Sequence, residues 1–210
     1  AIVAYWNSLR EAGTRAHPPI GMLHLDPARP RDAQRHEIDE MQPAIGPLMK
    51  AWSKHLEIGP RGPAVLLDLS PRLNEDQRAL VDATIETTFP GITRTWEYLS
   101  QGGGRIDRLS VWIGSLSSKA PSRCVRMGRK KIMATIEGKI TESEEVSMSK
   151  PPPFGAHLTI VDPALVQSGL QESWLERALP EGAGHSWLRL DGRRPLLITT
   201  ERLTKDEEID

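Results

Sequence analysis

The clearest hydrophobic pattern in the first third of the chain is helical. Ile38, Met41, Ile45, Leu48, Met49, Trp52 and Leu56 recur at three- and four-residue spacings, which predicts an apolar stripe on a helix starting near Arg31-Asp32. Pro43 and Pro47 fall within that stripe and are expected to kink or split it, because proline lacks a backbone donor and crowds the preceding turn. Upstream, Ile20 to Leu25 reads as a short strand, and Ala1 to Trp6 is an apolar run too short to separate strand from helix. Gly59-Pro60-Arg61-Gly62-Pro63 reads as a linker, followed by Ala64 to Leu69 as a strand buried on both faces. Asn74 is placed to cap a helix with Glu75 and Asp76 in its first turn, where the helix dipole favours acids. Leu80, Val81, Ile85 and Phe89 form its expected stripe. Ile92 to Leu99 is expected to be a second short helix carrying Trp96 and Tyr98, with Gly102-Gly103-Gly104 a plain loop after it.

From Arg105 onward the period shortens to that of strands. Ile106 to Ile113, Lys131 to Ile136, Phe154 to Val161, Ser186 to Leu190 and Leu196 to Thr200 are the expected strands, with Val146 to Met148 a short edge. Asp191-Gly192 marks a hairpin between the last two strands, in a loop that Arg193, Arg194 and Pro195 lengthen. Pro163 to Leu179 reads as an amphipathic helix capped by Asp162, with Leu165, Val166, Leu170, Trp174, Leu175 and Leu179 inward. Lys150 to Pro163 supplies the expected central strand, fed by three stiff prolines. Strands bunched in the second half, without strict βαβ alternation, predict an α+β fold: a mainly antiparallel sheet with helices packed on it and a helical N-terminal segment. The expected division is 1–59 as that segment, 60–203 as the core domain and 204–210 as an acidic tail.

Charge and composition narrow the chemistry. With 27 basic and 28 acidic residues the net charge of the 210-residue chain is −1, so any attraction to an anionic surface must be local. Cys124 is the only cysteine, which excludes an intrachain disulfide and suits a reducing or cytoplasmic compartment. No run approaches the roughly 20 apolar residues of a membrane helix. The AIVAYW start is expected to reflect trimming or processing, and no secretory signal, cofactor or metal site is expected.

Arg123, Arg126, Arg129, Lys130 and Lys131 are the densest basic cluster, a candidate for lipid or nucleic-acid phosphates or else a solvated loop guarding a strand edge. The six tryptophans are expected mainly in the core. Cys124 lies among arginines that are expected to lower its pKa, and a nucleophilic role would need a histidine brought close by the fold.

His157-Leu158-Thr159-Ile160 resembles one signature of the two-histidine phosphoesterases. That resemblance implies that His157 and Thr159 bind a phosphate and move a proton in hydrolysis of a cyclic or 2′-5′ phosphodiester. It requires a matching pair, for which His24-Leu25-Asp26 and His55-Leu56-Glu57 are the candidates, each with an acid where the family has a hydroxyl residue.

A second resemblance spans Ala64 to Gly192. The order of strand, Ser-Pro turn, helix, second helical piece, the strand ending VWIGSLSSKAP, basic loop, strand, acidic loop, GAHLTIV, helix and hairpin is similar to the core of rhabdovirus-type matrix proteins. It implies a non-enzymatic, self-associating structural protein, peripheral to a membrane, that binds anionic lipid or nucleocapsid through Arg123 to Lys131. The Pro-Pro segments at His17 to Ile20 and Pro151 to Phe154 resemble docking sites for a proline-motif adaptor, although neither carries PPxY or PTAP.

Overall fold

A computed structural model describes residues 19–28, 38–146, 151–188 and 195–204. The chain adopts an α+β fold. Its larger sheet is mixed, with strand order β1-β3-β5-β4-β6-β7 and β2 on the side of β3, and a second sheet runs β8-β10-β11-β9. The strands are β1 (Leu23–Leu25), β2 (Ile58–Gly59), β3 (Gly62–Leu69), β4 (Arg94–Ser100), β5 (Arg108–Gly114), β6 (Ser122–Met127), β7 (Ile132–Gly138), β8 (Glu145–Val146), β9 (His157–Ile160), β10 (His185–Leu188) and β11 (Leu196–Thr199). The helices are α1 (Ile45–Ser53), α2 (Glu75–Thr88), α3 (Pro163–Gln167) and α4 (Gln171–Ala178). Two compact units result, one of Ala1–Arg94 with Val111–Ser117, the other of Thr95–Ser110 with Ser118–Asp210.

In the first unit the prolines shorten the helix expected from Arg31. Residues 29–37 lie outside the described ones, Ile38–Glu40 form a single 3-10 turn, and α1 begins only after Pro43. Pro47 sits in the first turn of α1, where backbone N–H groups have no intrahelical partner to lose. Ile45 and Met49 are buried, and Gly46 lets α1 approach α2, since a methyl there would lie 3.1 Å from Thr84 Cγ2. Asn74 caps α2 as expected: it accepts from the Gln77 N–H at 2.9 Å, and Gln77 accepts from the Asn74 N–H at 3.0 Å. Val81 and Ile85 are buried, whereas Leu80 is exposed, about 100° round the helix from Val81.

Three expectations for this region are corrected. Gly59 to Pro63 is no linker but the tight turn of a β2–β3 hairpin, with Gly59 opposite Gly62. β3 alternates, burying Val65, Leu67 and Leu69 and leaving Ala64, Leu66 and Asp68 half-buried, so it covers one face rather than two. Arg94 to Ser100 is a strand, not a helix. Thr95, Trp96 and Tyr98 are β-branched or aromatic and are all buried there, and packing on a pleated surface wins over the helical spacing of the apolar residues.

In the second unit β4 pairs parallel with β6 and β6 antiparallel with β7. The expected helix from Pro163 to Leu179 is two, because Ser168, Gly169 and Leu170 break it; Gly169 has φ +67°. That break is tied to the larger sheet. Ser122 Oγ donates to the Ser168 carbonyl at 2.7 Å, and the Thr141 N–H donates to the Gly169 carbonyl at 2.9 Å. The expected terminal hairpin is present as β10 and β11, in register from His185 opposite Thr199 to Leu188 opposite Leu196. Trp187 on β10 meets Trp174 on α4 with ring centroids 6.4 Å apart. The strand carrying His157, expected to be central, is instead the edge of its sheet, bonded only to β11 among the described residues. The prolines before it keep Pro151 to Phe154 out of any ladder.

Candidate ligand cavity and basic turn

The second unit holds a cavity of about 590 Å³. Its walls come from five separate stretches: the glycine loop 102–104, β6 and β7, β9 with the start of α3, α4, and residues 202–204. Alternation along β9 places His157 and Thr159 on one face, with Leu158 and Ile160 on the other. In the antiparallel ladder Thr159 lies opposite Leu197, which in turn lies opposite Trp187, so the His157 and Thr159 face is the one that turns toward the tryptophans.

Part of the cavity lining is polar. Asp162 caps α3, accepting from the Ala164 N–H at 2.9 Å through one oxygen. Its other oxygen accepts from Ser100 Oγ at 2.7 Å and from Arg126 Nη1 at 2.9 Å. The guanidinium of Arg126 lies directly on Gly102, φ +92°, where a methyl group would collide with it. The triple glycine is thus more than a spacer: at its first position it is the bed of Arg126, a contact that a loop composition could not reveal. Ala134, Ile136, Leu165, Trp174 and Ala178 add apolar side chains to the lining, Ala134 directly across the ladder from Arg126.

Cys124, opposite Ile136 in the ladder, also lines the cavity, and its expected activation is reversed. Burial first, and then the negative charge of Asp162, push its thiol from 9.0 up to about 12, against smaller opposing effects of Ser168 and Arg126. Arg126 has its charge engaged by Asp162, so it cannot offset the lost hydration. At pH 8 only about 1 thiol in 10,000 is then ionised, and native protein is expected to resist iodoacetamide at that pH while unfolded protein is labelled. Because the folded-state value is raised, the stability linked to this thiol is complete below pH 9.0 and is lost as pH rises toward about 12. Cys124→Ala is expected to show a shallower alkaline fall in its urea midpoint; an identical fall would overturn that assignment.

The basic cluster does not survive folding as one patch. Arg123 on β6 is held by Glu97 at 2.7 Å and Glu137 at 3.2 Å, and Arg126, three residues on, projects from the opposite face of the strand to Asp162. Arg129, Lys130 and Lys131 are different. They form the exposed turn between β6 and β7, closed by the Gly128 N–H on the Lys131 carbonyl at 2.8 Å, and none has an acidic partner among the described residues. Ile132 beside them is exposed too.

The histidine candidates fall in different units. His24 is on β1 in the first unit, with Nε2 2.9 Å from Asp68 Oδ2, and lines a smaller cavity of about 230 Å³ with Asp26, Pro43 and Leu48. His55 is buried after α1, its carbonyl accepting from the Ile20 N–H. His157 and Thr159 line the larger cavity in the second unit. Among the described residues no group of three or more His, Cys, Asp or Glu side chains is placed to hold a metal ion, and no helix is long and apolar enough to cross a membrane. The fold and site define an α+β protein with a half-open cavity of mixed lining and an exposed basic turn. Compared with protein-family models, curated proteins and solved structures, the chain matches none.

Proposed function

We propose that the protein is a self-associating structural protein that docks on anionic lipid surfaces through the β6–β7 turn. The observation that carries the reading is the turn itself: three consecutive cations, Arg129, Lys130 and Lys131, exposed without acidic partners among the described residues and followed by an exposed Ile132. A protein of net charge −1 has no global attraction to such a surface, so the local patch has to supply it. Ile132 adds an apolar side chain of the kind that enters the headgroup boundary. Self-association is supported by β9, an edge strand without lysine, proline or bulge to block it, whose Leu158 and Ile160 are more than half exposed. Antiparallel pairing of β9 with a second copy is two-fold symmetric and sets His157 against Ile160 and Leu158 against Thr159, with no like charges opposed.

Flotation with phosphatidylserine-containing vesicles tests the reading. Three cations at about 1 kcal/mol each are worth roughly a hundredfold in partitioning, so reversing Arg129, Lys130 and Lys131 to Glu is expected to leave the protein in the unbound fraction. Binding to pure phosphatidylcholine vesicles as strong as to anionic ones, or undiminished binding of the reversed protein, overturns the lipid role. In the same samples Leu158→Lys with Ile160→Lys is expected to lower the mass measured by light scattering; an unchanged mass removes β9 as the self-association edge.

A further inference from the structure

The cavity of the second unit is separate from the basic β6–β7 turn, though β9 contributes to its lining, and its construction is that of a ligand site. Its volume of about 590 Å³ lies in the range of pockets that enclose small organic molecules. Its lining carries both chemistries: the apolar side chains of Ala134, Ile136, Leu165, Trp174 and Ala178, and the polar ones of Arg126, His157, Thr159, Asp162 and Arg202.

The charged side chains of the lining are not all paired among the described residues. Asp162 is matched by Arg126 at 2.9 Å, and both are further fixed by Ser100, which donates to Asp162 and accepts from Arg126 at 3.3 Å. That pair is a rigid, internally neutral support. Arg202 is exposed and, alone among the cationic residues of the lining, has no acidic partner among the described residues. His157 and Thr159 add an imidazole and a hydroxyl from the same face of β9, both able to donate a hydrogen bond. A cation without an acidic partner among the described residues, beside two hydrogen-bond donors, favours an anion, and the apolar side chains of the lining favour a hydrophobic body attached to it.

We infer that the cavity binds a small organic anion, with its carboxylate, sulfonate or phosphate head at Arg202, His157 and Thr159 and its apolar or aromatic body against Trp174, Ile136 and Leu165. The head group is held by charge and hydrogen bonds at the mouth, and the body is selected by size inside. Asp162 sets the limit on the other side, since a cationic head would gain nothing from a carboxylate already satisfied by three donors.

Titration of the full chain with 8-anilinonaphthalene-1-sulfonate, whose aromatic body and sulfonate head match the two chemistries of the lining, tests the inference. One saturable site per chain is expected, with fluorescence excited through tryptophan. Arg202→Glu, an exposed change that removes no packing, is expected to weaken that binding at least tenfold. N-phenyl-1-naphthylamine, which keeps the body without the charge, is expected to bind both proteins alike. Thr159→Phe fills space within the cavity and is expected to weaken both dyes. Near-UV circular dichroism of each variant guards against dye bound to loosened protein: a variant that has lost its native spectrum is replaced by Arg202→Gln or Thr159→Leu. Absence of a saturable site, or equal affinity for the sulfonate in wild type and the Arg202 variant, overturns the inference. A loss of vesicle binding in the turn variant with dye binding intact, or the reverse, separates this site from the surface role.

Discussion

Gly114→Ala is expected to destabilise the protein by about 3–5 kcal/mol, the range of the most damaging single substitutions. Gly114 has φ +62°, a backbone conformation that costs an L-residue about 1–2 kcal/mol before any contact is considered. The larger part is steric. A methyl group on Gly114 would overlap the carbonyl oxygen of Pro63 on β3 and come within 3.1 Å of Ile92 Cδ1. Relieving the overlap means moving Pro63 and the end of β5 apart, and several bonds depend on that approach. The Ser115 N–H donates to the Pro63 carbonyl at 3.3 Å, Ser115 Oγ to the Gly62 carbonyl at 2.6 Å, and the Gly114 N–H to the Thr93 carbonyl at 2.8 Å. Arg61 also reaches across to the carbonyls of Ser115 at 2.7 Å and Ser117 at 2.5 Å. Gly91 is the control. Its φ is +69°, but nothing lies within 4 Å of a methyl built there, so Gly91→Ala is expected to cost only about 1 kcal/mol. Urea denaturation of both variants decides the matter: equal losses would mean that backbone conformation alone, and not the close approach of Pro63, makes glycine necessary at 114.

The second large effect is at Trp174, 5% exposed, packed on Trp187 and lining the cavity. Trp174→Ala is expected to cost about 3–5 kcal/mol, from lost burial and from the void left behind, which merges with the cavity. Trp174→Phe is expected to cost far less than its change in volume suggests. The Trp174 Nε1–H is buried with no hydrogen-bond partner among the described residues, a state that is unfavourable by about 1–3 kcal/mol, and phenylalanine removes that donor along with part of the ring. The difference between the two variants in thermal or urea unfolding is therefore the informative quantity. A phenylalanine variant as unstable as the alanine one would show that the N–H contributes to the fold through a bond it makes in solution.

The elements that were legible in the sequence share a property: their signals lie within a few residues of one another. Asn74 and Gln77 close a capping box over three residues, Asp162 caps α3 two residues on, and the β10–β11 hairpin brings together neighbouring runs of the chain. The strand at Arg94 to Ser100 was also within reach, since Thr95, Trp96 and Tyr98 favour a pleated surface; the short apolar spacing of Ile92, Trp96 and Leu99 pointed the other way. The basic cluster shows the limit of such reading. Its five cations are close in sequence, yet the two-residue period of β6 sends Arg123 and Arg126 to opposite faces and to acidic partners from other elements, Glu97 and Glu137 for one, Asp162 for the other. Only Arg129, Lys130 and Lys131, lifted out of the ladder by a turn, stay exposed without acidic partners among the described residues.

By itself the sequence determined the α+β class, most of the strands, the two capped helix starts and the near-neutral charge that makes any anionic docking local. These follow from propensity, periodicity and composition, which act along the chain. Tertiary structure alone decided that β9 is an edge among the described residues, that Gly102 is the bed of Arg126, that Cys124 is an inert thiol pushed up to about 12, and that Arg202 lines a cavity together with Trp174, Ile136 and Leu165. Each of these depends on burial and on charges brought from 20 to 60 residues away, and electrostatic and packing energies are set by distance in space rather than by separation along the chain.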